Sequence, residues 1–211
     1  AEALRRKAWS ARAKATACSS HLHQMSIATT LYLDDHKQVF WPYYKDEAGG
    51  RAWWFGFEAG GPGAGTNRPL DKTRSALAPY ITTTSDLFQC PQFPYGDSAF
   101  YPKFAQRSAS LGFNIALSKQ RLDKYSPSAV FVFADGIHFD ANPGLNEGHY
   151  IQYTPGAAMK SGYAHFRHQG KAQYALLDGH VEGQRLSGPA FTVIGGGAAG
   201  NLGTPAVYGL P

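Results

Sequence analysis

His-Gln-Gly-Lys-Ala-Gln-Tyr-Ala-Leu-Leu-Asp-Gly-His-Val-Glu, from His168 to Glu182, is the stretch whose reading decides the fold of this 211-residue chain. From Lys171 the residues alternate. Ala172, Tyr174 and Leu176 point one way; Lys171, Gln173 and Ala175 point the other. Period-two alternation marks a half-buried strand. Asp178-Gly179 then offers two residues that tolerate positive φ, which predicts a tight I′ turn and a β-hairpin over 172–184. His180-Val181-Glu182 begins the return strand.

At the other end of the chain the period changes. Leu4, Ala8, Ala11, Ala15, Cys18, Leu22, Met25, Thr29 and Tyr32 step by fours and threes, with no Gly or Pro before Pro42. That predicts one long helix, about 50 Å at 1.5 Å per residue. Its first half carries Arg5, Arg6, Lys7, Arg12 and Lys14 against a seam of Ala, and is expected to be exposed. Its second half, with Leu22, Met25, Ile27, Leu31 and Leu33, is expected to pack on a globular head.

Between these ends, residues 39–69 read as a long irregular stretch. It holds Trp41, Tyr43, Tyr44, Trp53, Trp54, Phe55 and Phe57, followed by Gly60-Gly61-Pro62-Gly63-Ala64-Gly65. Asp71 can cap a short helix. Residues 109–117 and 129–134 read as strands. Residues 188–211, rich in Gly, Ala and Pro, read as an extended tail. The division is thus a helix over 1–37, a head over 38–187 and a tail over 188–211. The class is α+β, a long N-terminal helix packed on an antiparallel β-sheet head.

Composition narrows the function. A net charge of +5 is mild, and Lys and Arg are not interleaved with the aromatic group, which argues against a nucleic-acid partner. No apolar run approaches the ~20 residues of a membrane span. The two cysteines, Cys18 and Cys90, cannot by themselves complete a four-ligand zinc site. Either they pair, closing a loop of about 70 residues worth roughly 4 kcal/mol, or they are two buried thiols.

Several segments, in order, resemble the prepilin-type, pseudopilin-like proteins whose C-terminal domain is named for a His, nine residues and Asp-Gly. Cys18 precedes His21-Leu22-His23-Gln24, an aliphatic run and Tyr32-Leu33-Asp34-Asp35, similar to that family's helix end. Cys90-Pro91 is similar to its Cys-Pro, and Ser110-Leu111-Gly112-Phe113-Asn114 to its Ser-Tyr-Gly-x-Asn. The strand ending at Asp135-Gly136 and the His168 to Asp178-Gly179 spacing complete the likeness, which covers roughly residues 10–185. The family's Asn-Leu-Lys is altered to His21-Leu22-His23. Its peptidase site and apolar helix half are missing from the sequence, so the resemblance implies a soluble form from which they have been removed.

What the resemblance implies is a pilin-like, non-catalytic subunit of a type II secretion or type IV pilus-type filament. Such a subunit is anchored in the bacterial inner membrane by the missing apolar segment, with its head in the periplasm or the filament. Its partners are other subunits, met through the helix. Three chemical readings stand beside this one. His168, Asp178 and His180, with His165 nearby, suit a divalent metal or plain structural hydrogen bonding. The related major pseudopilins bind calcium in a head loop, and Asp135, Asp140, Asn142 and Glu147 supply oxygens here without EF-hand spacing. Trp41, Trp53 and Trp54 form either a satellite core or, as the alternative function, a glycan- or protein-binding surface. Gly96-Asp97-Ser98 lacks the surrounding elbow of a serine hydrolase.

Overall fold

The computed structural model describes residues 2–63, 65–82, 86–140, 144–155, 162–194 and 196–210. Helix α1 runs Glu2–Asp35. Cys18, Leu22, Met25, Ala28 and Leu33 are buried along one face. Ser26 and Thr29 share that face and satisfy their hydroxyls on the carbonyls of Leu22 and Met25, four residues back. Glu2, Ala3 and residues 5–10 are exposed, Trp9 to 75%. The expected split between a free and a packed half is therefore present. Ile27 and Leu31, expected in the packed half, instead face outward, one turn apart. The helix ends where Lys37 and Gln38 take left-handed φ of 56° and 60° and Gln38 N–H reaches back to Leu33 O at 2.8 Å. That ending is a non-glycine version of the common C-terminal motif.

Residues 39–69 are less irregular than their composition suggests. Strands β1 (Tyr44–Glu47), β2 (Gly50–Trp53) and β3 (Gly56–Ala59) form an antiparallel meander. Four-residue strands are too short for alternation to show in sequence. The main sheet contains β4 (Leu111–Asn114), β5 (Phe131–Asp140), β6 (Gly144–Glu147), β7 (Tyr150–Ile151), β8 (Gly162–Phe166), β9 (Lys171–Leu176), β10 (Val181–Arg185), β11 (Thr192–Ile194) and β12 (Gly197–Gly200). The path runs β10-β9-β5-β8-β12-β11, with β4 and β6 on the other edge of β5 and β7 beside β4. Only the β4–β7 pair is parallel among these. The protein is α+β, a helix packed on sheets.

Strand β5 is the axis. Its first half pairs with β9 and β4, its second half with β8 and β6, and the exchange falls at Asp135-Gly136. The chain passes from β8 to β9 through a turn at Gln169-Gly170, whose φ values are 54° and 79°. His168 and Lys171 exchange both backbone hydrogen bonds across it, at 2.9 and 3.0 Å. This is the I′-like geometry expected at Asp178-Gly179. There the loop is instead three residues long. Leu176 N–H bonds His180 O at 2.8 Å, and only Gly179 is left-handed, at 91°. Asp178 Oδ1 accepts from His180 N–H at 3.1 Å, so Asp178 shapes the loop without adopting positive φ.

Both faces of the sheet are covered, which explains why residues 130–134 are apolar throughout rather than alternating. Phe133 and Ala175 face α1, Trp41 and Trp54. Phe131, Phe166, Ala172, Tyr174 and Leu176 face Leu202 and Tyr208. The stretch from 188 onward thus carries more of the fold than an extended tail would. Strand β12 bonds to β8, and Tyr208 is fully buried, edge-on to Phe131 at 4.9 Å, accepting from Leu202 N–H at 2.8 Å. Gly197 and Gly200 of β12 sit where a Cβ would meet His165 at 2.7 Å and Leu186 at 2.8 Å, an arrangement that hides the contribution of this strand from a hydropathy reading.

Three substitutions test this packing by urea unfolding. Tyr208→Ala should cost about 3–5 kcal/mol through the cavity it leaves. A Cβ on Gly148 would lie 2.2 Å from Ile137 N, so Gly148→Ala should cost upwards of about 3 kcal/mol, whereas Gly179→Ala, with nothing near its Cβ, should cost only about 1–2 kcal/mol for its φ. Equal losses at the two glycines would contradict the register.

Candidate functional site

The densest group of buried charge lies at the exchange point of β5. Asp135 is fully buried, opposite Leu111 of β4 and one residue past the last β5–β9 pair. Its Oδ1 accepts from Arg167 Nε at 3.0 Å and Nη2 at 2.9 Å. Its Oδ2 accepts from Gln173 N–H at 2.7 Å and lies 3.1 Å from His168 Nε2. Arg167 also donates to the carbonyls of Ser110 at 2.8 Å and Gly136 at 3.3 Å. Burial alone would raise the Asp135 pKa; the Arg167 guanidinium, the His168 hydrogen bond and the Gln173 N–H outweigh it and hold the carboxyl below its ordinary value. The turn after β8 exists in a form that lets two consecutive residues, Arg167 and His168, reach one carboxylate.

Against this group sits the link between helix and head. Cys18 of α1 and Cys90 form a disulfide, 72 residues apart. His168 Nε2 is 3.3 Å from Cys90 Sγ. His21 Nδ1 lies 2.7 Å from Gln89 O, and His23 Nδ1 3.4 Å from Gly179 O in the β9–β10 loop. The two helix histidines therefore contact different segments, as their two-residue spacing requires. Both anchor the packed half of α1.

The structure does not bring His168 together with Asp178 and His180. His168 precedes β9, and the other two follow it, roughly 20 Å away at ~3.4 Å per residue. Asp178 and His180 pair with each other at 3.1 Å, and His180 is exposed. His165 is buried, its Nδ1 3.4 Å from Arg167 Nη1. The ligand-type cluster among the described residues is a different one: Cys18, Cys90, Asp135 and His168, whose donor atoms lie within 4.8 Å of one another. The disulfide ties up two of these four donors. Of the proposed calcium oxygens, Asn142 lies outside the described residues. Asp135 and Glu147 are buried and serve separate partners.

Glu147 belongs to a second buried cluster that sequence spacing gave no sign of. Ser108 N–H bonds both Glu147 oxygens at 2.9 and 3.0 Å, Ser108 Oγ donates to Glu147 Oε2, and Tyr95 OH donates to Oε1 at 2.9 Å. His149 Nε2 lies 2.7 Å from Ser108 Oγ. Burial raises the Glu147 pKa despite the opposing hydrogen bonds. Burial, reinforced by Lys103, His138 and Arg68, holds His149 well below its usual value. Serine, histidine and carboxylate thus meet, but in the wrong order for nucleophilic catalysis. The Ser108 hydroxyl donates to Glu147 and is fully buried, so it is not presented to solvent as a nucleophile. Asp97 of the Gly96-Asp97-Ser98 run accepts from Ala99 N–H at 2.9 Å and shapes a turn.

The aromatic group is mainly core. Trp41 and Trp54 are each 1% exposed, and Trp54 Nε1 donates to His149 O at 2.7 Å. Trp53 is half-buried, but its ring stacks on Phe55 at 5.9 Å and takes the Arg51 guanidinium at 5.2 Å, and its Nε1 donates to Glu58 at 2.9 Å. Little of its face remains for a sugar.

Unfolding measurements test the Asp135 group and the disulfide. Asp135→Asn should cost about 3–5 kcal/mol at pH 7, because Arg167 keeps a buried charge without its counter-ion. A depressed folded pKa contributes stability that is present above the unfolded value near 4 and lost as pH falls through the folded value. The gap between wild type and Asp135→Asn in urea melts should therefore shrink below about pH 4; a gap unchanged down to pH 2 would contradict the pairing. Replacing both Cys18 and Cys90 with Ala should cost about 4 kcal/mol.

Comparison with protein-family models, with curated proteins and with solved structures found no match.

Proposed function

We propose that the chain is a non-catalytic, pilin-like subunit of an envelope filament of the type II secretion or type IV pilus kind. The single observation that carries this reading is the division of α1. Residues 18–33 are fastened to the head by a disulfide, two histidine contacts and an apolar stripe, while residues 5–10 are exposed and present Trp9 to solvent. A helix extended about 13 Å beyond what its own head covers is explained by a partner. In this reading the partner is the same helix of neighbouring subunits. Arg5, Arg6 and Lys7 then lie beside an anionic membrane face, below an upstream apolar segment that anchors the subunit in the inner membrane. The head lies in the periplasm or on the fibre surface, where the disulfide is at home. No helix among the described residues is long and apolar enough to cross a membrane.

The alternative, a glycan- or protein-binding module built on Trp41, Trp53 and Trp54, is weakened by the burial of two of the three rings and the covered faces of the third.

The test is photo-crosslinking in the native cells. A photoreactive residue replacing Trp9 in the full-length protein should give a ladder of homo-multimers in the membrane and sheared-fibre fractions, and one replacing Lys171 on the head should not. With the photoreactive residue moved to Ser10, Trp9→Glu should abolish the ladder while leaving the stability of the isolated chain within about 0.5 kcal/mol. Absence of multimers, with the protein in the soluble cytosolic fraction, would overturn the proposal.

A further inference from the structure

We propose that the group under α1 becomes a zinc site when the Cys18–Cys90 disulfide is reduced, with Cys18, Cys90, His168 and Asp135 as its four ligands. The inference does not rest on the filament reading. Two thiolates, an imidazole and a carboxylate are a zinc donor set. Tetrahedral ligands at zinc bond lengths sit about 3.2–3.8 Å from one another. Here His168 Nε2 is already 3.1 Å from Asp135 Oδ2 and 3.3 Å from Cys90 Sγ, and all four donors lie within 4.8 Å. Breaking the S–S bond parts the two sulfurs to non-bonded distance and opens the centre among these donors.

The charges close in both states. With the disulfide intact, Asp135 and Arg167 neutralise each other in a site where both are almost fully buried. After reduction and metal binding, two thiolates and Asp135 bring three negative charges, and zinc with Arg167 brings three positive. Neither state leaves an uncompensated charge under the helix.

A second observation comes from the far side of the imidazole. His168 Nδ1, Gln92 Oε1 and Gln173 Oε1 are buried without hydrogen-bond partners, and all three residues line one cleft between α1 and the β9–β10 hairpin. While Nε2–H donates to Asp135, Nδ1 is an acceptor without a donor, in the same cleft as two glutamine oxygens that also lack one. Ligation through Nε2 moves the proton to Nδ1, which can then donate to a glutamine oxygen. That outer hydrogen bond is the usual support of a metal-bound histidine.

The balance is simple. A dithiol reductant delivers two electrons and two protons to the disulfide and becomes a disulfide itself. Zn²⁺ then displaces both thiol protons to solvent.

The full chain should be reduced anaerobically with excess dithiol, desalted, and titrated with Co²⁺ and then Zn²⁺. The reduced protein should take up one ion per chain, show tetrahedral cobalt–thiolate absorption that zinc displaces, and melt at a higher temperature with metal than without. His168→Ala should weaken binding at least about 10-fold with its far-UV circular dichroism retained, and Asp135→Asn should act likewise where it folds. Asp178→Ala and His180→Ala should bind as wild type. No cobalt absorption in the reduced chain, or undiminished affinity in His168→Ala, would overturn the proposal.

Discussion

The fold turns on the buried ion pair between Arg167 and Asp135. Strand β5 changes partners at this carboxylate, and a strand edge that changes partners leaves backbone groups to be satisfied. Arg167 satisfies Gly136 O and adds a second bond to Ser110 O, which already accepts from Gly136 N–H, while its charge cancels that of Asp135. The pair therefore does in one place what several ladder hydrogen bonds do elsewhere. It is costly to break rather than strongly stabilising to form. Its position also sets the direction of His168, and through His168 it touches the disulfide that holds the helix. Sheet exchange, turn and helix anchor share one centre.

That centre explains how much of the molecule could be read from its sequence. The helix was legible because thirty uninterrupted residues carry one period, and the hairpin was legible because β9 alternates at its exposed start. The disulfide left two alternatives open, since two cysteines give no geometry. The site was misread for a topological reason. His168, Asp178 and His180 are close in sequence, but β9 lies between them and holds them at its opposite ends. Asp135 lies 33 residues before His168 and looked like the end of a strand or a loop oxygen. Only the pairing of β5 with β9 brings it to His168. The Ser108–Glu147–His149 cluster had no signal at all, because 39 and 41 residues separate the hydroxyl from its partners.

The tail and the aromatic stretch show a second reason. Gly-rich strands such as β12 contribute backbone pairing and close approach, not side-chain hydrophobicity, so composition marks them as linkers. The Trp-rich stretch showed its apolar content plainly. Whether that content faced the core or a ligand depended on β1 to β3 folding back, which four-residue strands do not announce.

The division of α1 joins these elements to function. The head packs on the helix most tightly from Cys18 to Leu33 and reaches it as far back as Ala11, and residues 5–10 are exposed. Hydrogen exchange of the isolated chain, followed by mass spectrometry along α1, tests this most directly. Amides of residues 5–14 should exchange within seconds to minutes, while those of residues 22–33 stay protected close to the global unfolding limit. Uniform protection from Glu2 to Asp35 would mean that the whole helix belongs to one compact body, and would contradict the account.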